Sequence, residues 1–94
     1  VQSFTLSAEG LLERHKVNEF IDQYLISRPD AVFRAKGFLS VKGFDKQVLF
    51  QSVREIFSLE LSQEPLQARS RLVVIGRGLN QFEYEEAFRA LRVR

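Results

Sequence analysis

Hydrophobic and polar residues alternate through the first seven positions, VQSFTLS, and this alternation predicts a β-strand because successive side chains of a strand point to opposite faces. The period then changes to that of a helix. Four apolar residues follow the spacing i, i+3, i+4 and i+7, namely Val17, Phe20, Ile21 and Tyr24. This spacing predicts one amphipathic helix over residues 13–26. Pro29, in the segment SRPD, ends it because proline cannot continue a helix.

The segment AVFRAKGFLSV, residues 31–41, alternates again and predicts a second strand with two different faces. One face suits a core beneath helices and consists of Phe33, Ala35, Gly37, Leu39 and Val41. The other suits an open or partner-covered face and consists of Val32, Arg34, Lys36, Phe38 and Ser40. We expect a hairpin at KGFD, residues 42–45, because glycine and aspartate favour turns.

Two further strand-like segments follow, QVLFQSV at 47–53 and IFSLELS at 56–62, and the pattern fits either two strands or one bent strand. The composition of SQEPLQA, residues 62–68, predicts a loop. The last strand-like segment, SRLVVIG at 70–76, is apolar on both faces in its middle. A strand that is apolar on both sides is typical of the centre of a sheet, so we expect it to be covered on both faces.

The final helix has the clearest boundary signals in the chain. Asn80 can cap its first turn, and Glu83 stands three residues later in the capping-box position. Leu79 is placed to form a hydrophobic staple with Tyr84 across the start of the helix. The predicted buried stripe consists of Tyr84, Ala87, Phe88 and Leu91.

The order of these elements predicts an α+β fold. One helix lies near each end of the chain, and the strands lie between them. We therefore expect a mostly antiparallel sheet of four to five strands with two helices packed on one face. Ninety-four residues suffice for a single domain.

The composition excludes several kinds of site. The chain has no cysteine, which excludes disulfides, thiolate metal sites and cysteine nucleophiles and suits a reducing cytoplasm. Its single histidine, His15, has only Glu13 and Glu19 near it in sequence, so we expect a solvent-facing helix residue and no metal site. No nucleophile and base can be paired convincingly, so we predict no catalytic residue. No apolar run is long enough for a membrane span, and we expect a cytoplasmic protein.

The absence of methionine, even at position 1, suggests a piece of a longer protein. The net charge of +2 is too small to indicate nucleic-acid binding by itself. The basic residues nevertheless concentrate late in the chain, at Arg69, Arg71, Arg77, Arg89, Arg92 and Arg94.

Two short motifs have the outline of nucleotide or nucleic-acid signatures. RAKGFLSV, residues 34–41, matches the start of the RNA-recognition octamer, but Leu39 and Ser40 follow, so the second stacking aromatic is missing. This absence argues against nucleic acid as a partner. IGRGLN, residues 75–80, lacks the third glycine of a dinucleotide fingerprint because Gln81 stands there. Gly76 and Gly78 are therefore better interpreted as turn and cap residues.

Three segments together resemble the C-terminal domain of CobW-type GTPases, and the resemblance runs from about residue 3 to residue 92. The family's R-x-K-G strand corresponds to Arg34, Lys36 and Gly37. Its Phe-Gln-x-Val segment corresponds to Phe50, Gln51 and Val53. Its R-L-V-x-I-G-R-x-L segment before the final helix corresponds to Arg71, Leu72, Val73, Ile75, Gly76, Arg77 and Leu79.

The resemblance implies a parent protein with an N-terminal P-loop GTPase domain that takes part in metal delivery or cobalamin biosynthesis. GTP and a divalent metal, zinc or cobalt, would be bound by that parent and not by this chain. The implied role of this chain is a non-catalytic accessory domain. Its implied partners are the GTPase domain and a client metalloprotein.

Arg34, Lys36 and Phe38 are the candidate docking residues, because arginine and aromatic residues are enriched in interface cores. The competing interpretation is that Arg34 and Lys36 pair with acidic residues on neighbouring strands. Gly37 is expected on the covered face, where it permits close packing. The alternative function is a small free-standing nucleic-acid- or anion-binding module that uses Arg34, Lys36 and Phe38 together with the arginines around Ile75.

Overall fold

Five strands form one sheet in the order β1-β5-β2-β3-β4, and every neighbouring pair is antiparallel. The computed structural model describes residues 1–94. Its strands are β1 (Gln2–Glu9), β2 (Val32–Leu39), β3 (Lys46–Val53), β4 (Ile56–Pro65) and β5 (Arg69–Gly76). The predicted antiparallel sheet is confirmed, with five strands. Because β5 lies between β1 and β2, the last strand brings late arginines beside the RAKG segment.

The first helix covers the predicted range but changes type halfway along. It begins as α1 (Arg14–Phe20) and continues as a π-helical segment (Ile21–Ile26), which ends with Ser27 N donating to Asp22 O. The Tyr84 hydroxyl donates to the carbonyl oxygen of Tyr24 at 2.7 Å. This carbonyl, which lies inside the π-helical segment, therefore has a partner in the final helix.

The final helix, α2 (Gln81–Arg89), begins as predicted. The Asn80 side chain accepts a hydrogen bond from Glu83 N at 3.1 Å, which confirms the cap. Glu83 does not return the bond; its carboxylate lies 4.0 Å from Arg28 Nη1. Leu79 is buried, and the predicted stripe is confirmed, with Ala87 only half-buried beside the buried Tyr84, Phe88 and Leu91.

Both helices pack on one face of the sheet, and twenty buried apolar residues form one core there. Alternate residues of β1, β2, β3 and β5 supply the sheet side of this core. The helix side is largely aromatic: Phe20 packs edge-to-face against Tyr84 and Phe88 at centroid distances of 6.5 and 5.6 Å. This one-sided packing leaves the opposite sheet surface, the open face, uncovered.

The two faces of β2 differ from the prediction at its start. The pairing of β2 with β5 shifts between Val32 and Arg34, so the strand has a bulge at Phe33. Val32 is consequently buried and Phe33 is half-exposed beneath the Arg54 guanidinium, the reverse of the predicted assignment. Ser40, predicted on the open face, is also fully buried.

Residues 47–62 form two strands, which settles the alternative that the sequence left open. Val53 pairs with Ile56, so only Arg54 and Glu55 form the turn, and Arg54 adopts a left-handed φ of 54°. The loop predicted at 62–68 is shorter than expected, because β4 continues to Pro65. Lys46 pairs with Pro65, and this added pairing extends the hairpin.

The prediction that SRLVVIG is covered on both faces was wrong. β5 is central in the sheet, but only alternate residues are buried, and Val73 is 39% exposed. The helices cover one face only, which leaves Val73 and Ile75 on the open face. The structure contains no helix that is long and apolar enough to cross a membrane.

Candidate functional site

The open face carries a repeated pairing of one cation with one apolar residue across β2 and β5. Arg34 lies opposite Ile75, Lys36 opposite Val73, and Phe38 opposite Arg71. Successive pairs are two residues apart along the strands, a step of about 6.6 Å. We call this set of six residues the basic groove.

The cavity along the basic groove has a volume of about 660 Å³ and is open to solvent. Its three cations are exposed, while Phe38 and Ile75 are half-buried. Gln47, Gln67 and Arg69 lie at one end of it. The structure therefore brings the predicted docking residues Arg34, Lys36 and Phe38 together with arginines and apolar residues of β5.

None of the three cations in the basic groove forms an ion pair. The ion pairs in the molecule are Arg28–Glu83, Arg69–Glu9 and Arg89–Glu86. The neighbours of Lys36 across the sheet are Gln51 and Val73, and those of Arg34 are Val53 and Ile75. The interpretation that Arg34 and Lys36 pair with acidic residues on adjacent strands is therefore wrong.

One arginine beside the groove already holds a carboxylate. Arg69 donates to Glu9 Oε1 through both Nε, at 3.2 Å, and Nη2. These two residues face each other across β5 and β1. The pair shows that an arginine on this face has the reach and geometry to bind a carboxylate from a neighbouring segment.

A buried polar network closes the same end of the groove. Ser40 N donates to Ser70 Oγ at 2.8 Å, and Gln47 Nε2 donates to Ser40 Oγ at 3.0 Å and to Arg69 O at 3.3 Å. Because a carbonyl oxygen only accepts, the bond to Arg69 O fixes the orientation of the Gln47 amide. Gln47 Oε1 accepts no hydrogen bond within the protein, although Gln47 is 95% buried and lines the groove.

Gly37 holds β2 close to β5 beneath the groove. A Cβ atom at this position would lie 2.0 Å from the carbonyl oxygen of Arg71. The glycine is buried on the covered face, as expected, and the close approach is to the neighbouring strand's backbone. Gly76 has a similar role at the end of β5, because its Cβ would lie 2.1 Å from Ala31 O.

The remaining motif residues lie in different surroundings. Phe50 is fully buried in the core, whereas Gln51 is half-exposed opposite Lys36. Val53 is 56% exposed at the end of β3, and Arg77 lies exposed in the loop after β5. Gly78 has a φ of 68°, so its predicted turn role is confirmed, whereas Gly76 is needed for close packing.

The chain contains no group of three or more His, Cys, Asp or Glu side chains that could hold a metal ion. His15 is exposed on α1, as predicted. Burial raises the pKa of Tyr84, while the charge and hydrogen bond of Arg28 oppose that rise. This tyrosine belongs to the aromatic core, away from the basic groove.

Of the residues that join the RAKG strand in the groove, only the arginines around Ile75 were named from the sequence, and only for the alternative function. The alternation of Arg69, Arg71, Val73 and Ile75 was a usable signal for one exposed face of β5. The contributions of Gln47 and Gln67 had no such signal, because Gln47 lies where the pairing of β3 with β4 shifts register and Gln67 lies in the loop before β5.

The family model for the cobalamin synthesis protein cobW C-terminal domain matches residues 1–92. Among solved structures, the Zn(II)-bound YjiA GTPase from E. coli superimposes with a TM-score of 0.87 at 26% identity. A Zn(II)-bound triple mutant of YjiA GTPase gives a TM-score of 0.84 at the same identity. Each match covers 98% of this chain but only 30% of the solved chain. No curated protein sequence matches the chain.

Proposed function

The chain belongs to the CobW C-terminal domain family, and on this premise we propose that it is a non-catalytic interaction domain of a CobW-like GTPase. In this proposal the chain is the accessory part of a longer protein with an N-terminal GTPase domain. The parent acts in the delivery of zinc or cobalt or in cobalamin biosynthesis. The similarity to Zn(II)-bound YjiA GTPase, of which this chain spans 30%, supports the proposal.

We assign GTP and the divalent metal to the rest of the parent protein. The residues of this chain do not fit either ligand. They include no G-x-x-x-x-G-K-[ST] loop, no cysteine and no cluster of three potential metal ligands. The contribution of this chain is therefore to bind a protein partner, either the GTPase domain or a client metalloprotein.

The observation that carries the proposal is the set of three unpaired cations beside apolar residues in the basic groove. These exposed cations form no ion pair within the chain, so a binding partner can contact them without first breaking one. Arginine and aromatic residues are also enriched at the centres of protein interfaces. Arg34, Lys36 and Phe38 would form the centre of the docking surface.

A charge reversal in the parent protein tests this role. We expect Arg34→Glu with Lys36→Glu to leave the fold intact and to weaken binding of the GTPase domain, or of the client protein, at least tenfold. The matched control is Lys42→Glu with Arg94→Glu, which changes the net charge equally at exposed positions outside the groove. Equal binding by both double variants would refute the docking role. Loss of the far-ultraviolet circular dichroism spectrum would instead assign Arg34 and Lys36 a structural role.

The coding region upstream of Val1 tests the domain assignment. A P-loop and a cysteine-containing metal motif are expected there. A start codon directly before Val1 would contradict the assignment and favour the alternative, a free-standing nucleic-acid- or anion-binding module. Oligonucleotide affinity would then fall steeply with rising salt, because phosphate binding releases counterions.

A further inference from the structure

We infer that the basic groove binds an extended acidic polypeptide segment whose carboxylates occupy alternate positions. This inference rests on the proposed function, and it names the chemistry of the partner at the same surface. It follows from the register of the cations, from the Arg69–Glu9 pair and from the character of the groove floor.

The spacing of the cations matches that of an extended chain. Arg34, Lys36 and Arg71 belong to three successive cross-strand pairs, so they span two steps, roughly 13 Å along the strand direction. Alternate side chains of an extended peptide point the same way and repeat at the same interval of about 6.6 Å. Carboxylates at positions i, i+2 and i+4 can therefore meet all three cations at once.

The fourth position in this series is already filled from within the chain. Arg69 lies two residues before Arg71 on the same face of β5, and it binds the Glu9 carboxylate. The three remaining cations lack such a partner. A segment with three carboxylates would give each of them the kind of partner that Arg69 has in Glu9.

The floor of the groove favours a polypeptide over a nucleic acid. Each cation has an apolar neighbour across the strands, Ile75, Val73 or Phe38, which can pack against methylene groups and small apolar side chains. Phe38 is the one aromatic residue that lines the groove, whereas single-stranded nucleic acid is usually held by stacking on several aromatics. Gln47 Oε1 offers an acceptor for a peptide N–H at the groove's end.

The test uses the 94-residue chain and a fluorescein-labelled ten-residue peptide with glutamates at positions three, five and seven and threonine or valine between them. We expect saturable binding by fluorescence anisotropy. Lys36→Gln and Arg71→Gln should each weaken it by about fivefold, the upper range for one exposed charge pair. Lys42→Gln, an exposed cation outside the groove, should leave it unchanged.

Two further probes separate the register from simple charge attraction. A peptide of the same composition with three consecutive glutamates should bind at least threefold more weakly, because only alternate side chains face the groove. A ten-nucleotide oligouridylate should bind more weakly than the alternating peptide. Equal affinity for both peptides, stronger binding of the oligonucleotide, or no saturable peptide binding would each overturn the inference.

The outcome can be separated from that of the proposed function. If the peptide fails to bind but the Arg34→Glu, Lys36→Glu reversal still weakens binding of the GTPase domain or client, the docking role stands and the acidic segment does not. If the alternating peptide binds better than the peptide with consecutive glutamates, but the Arg34→Glu, Lys36→Glu reversal does not change binding of the GTPase domain or of the client, the groove is a peptide site. The proposed docking role then fails.

Discussion

Gly37 on β2 faces the carbonyl oxygen of Arg71 on β5 so closely that a Cβ atom would lie 2.0 Å from it. The same Cβ would lie 2.7 Å from the Cα of Leu72. Both neighbours are backbone atoms of a strand that is paired on both sides, so they cannot move aside like the end of a side chain. The contact therefore fixes the separation of the two strands that form the basic groove.

We predict that Gly37→Ala lowers the free energy of unfolding by about 3 kcal/mol, the upper range for overpacking a buried site. The two strands would have to separate locally, which weakens their hydrogen bonds and displaces Arg71 in the groove. Urea unfolding followed by circular dichroism measures the change. Binding of the acidic peptide or of the partner protein, measured without urea, should weaken as well.

Gly10→Ala is the matched control, since it adds the same methyl group at a position with no atom within 4 Å of the new Cβ. Its cost is conformational, because Gly10 has a φ of 84°, and such backbone costs about 1–2 kcal/mol for other residues. We expect no effect on binding. A loss of stability for Gly37→Ala no greater than for Gly10→Ala would contradict the steric account.

The start of α2 gives a second prediction. Asn80 accepts the hydrogen bond of Glu83 N, and replacing it with alanine should lower the free energy of unfolding by about 1 kcal/mol. Gln81→Ala, at an exposed position next to the cap, should change it by less than about 0.5 kcal/mol. Equal effects in thermal unfolding would show that the capping bond contributes little.

The local signals in the sequence were sufficient for most of the fold. The cap at Asn80 depends on one residue and the helix that follows it, so spacing alone predicted it correctly. The bulge at Phe33 depends on how β2 pairs with β5, and those strands are separated in sequence by residues 40–68. Alternation within one strand contains no information on such a shift, and the prediction failed there.

The site was predictable on one strand only. Arg34, Lys36 and Phe38 share a face by period alone, so they were identified together. Their pairing with β5 follows from the strand order, which the sequence did not specify. The apolar run in β5 suggested cover on both sides, but Val73 and Ile75 instead line an open groove beside cations. From the sequence alone, an apolar run on an uncovered sheet face cannot be distinguished from a run that is buried on both faces.

The outer hairpin separates buried from exposed apolar residues on adjacent strands. Phe50 on β3 is fully buried, whereas Leu61 on the edge strand β4 is 53% exposed and lines an open pocket beside α1. Phe50→Ala should lower the free energy of unfolding by about 3–5 kcal/mol. Leu61→Ala should lower it by less than about 1 kcal/mol. Comparable losses in urea unfolding would mean that β4 is covered in solution.

Tyr84 should make the stability of the chain depend on pH in the alkaline range. Burial raises its pKa above the value of 10.0 that applies in the unfolded chain, so the unfolded state loses this proton first as the pH rises. The contribution of Tyr84 is thus fully present below pH 10.0 and declines as the pH rises above it towards the folded-state pKa. The physical cause is that the charged phenolate is disfavoured in the aromatic core.

Tyr84→Phe tests this by removing the titrating group while keeping the ring. At pH 8 the variant should be less stable than the unsubstituted chain by about 1–2 kcal/mol, because Tyr24 O loses the hydrogen bond from the Tyr84 hydroxyl. Between pH 9 and 11 this difference in the free energy of unfolding should shrink, since only the unsubstituted chain loses stability through the titration of Tyr84. Urea unfolding of both proteins at each pH measures the difference. A difference that stays constant across this range would show that Tyr84 does not titrate differently in the folded and unfolded states, and other groups would then account for any alkaline loss of stability.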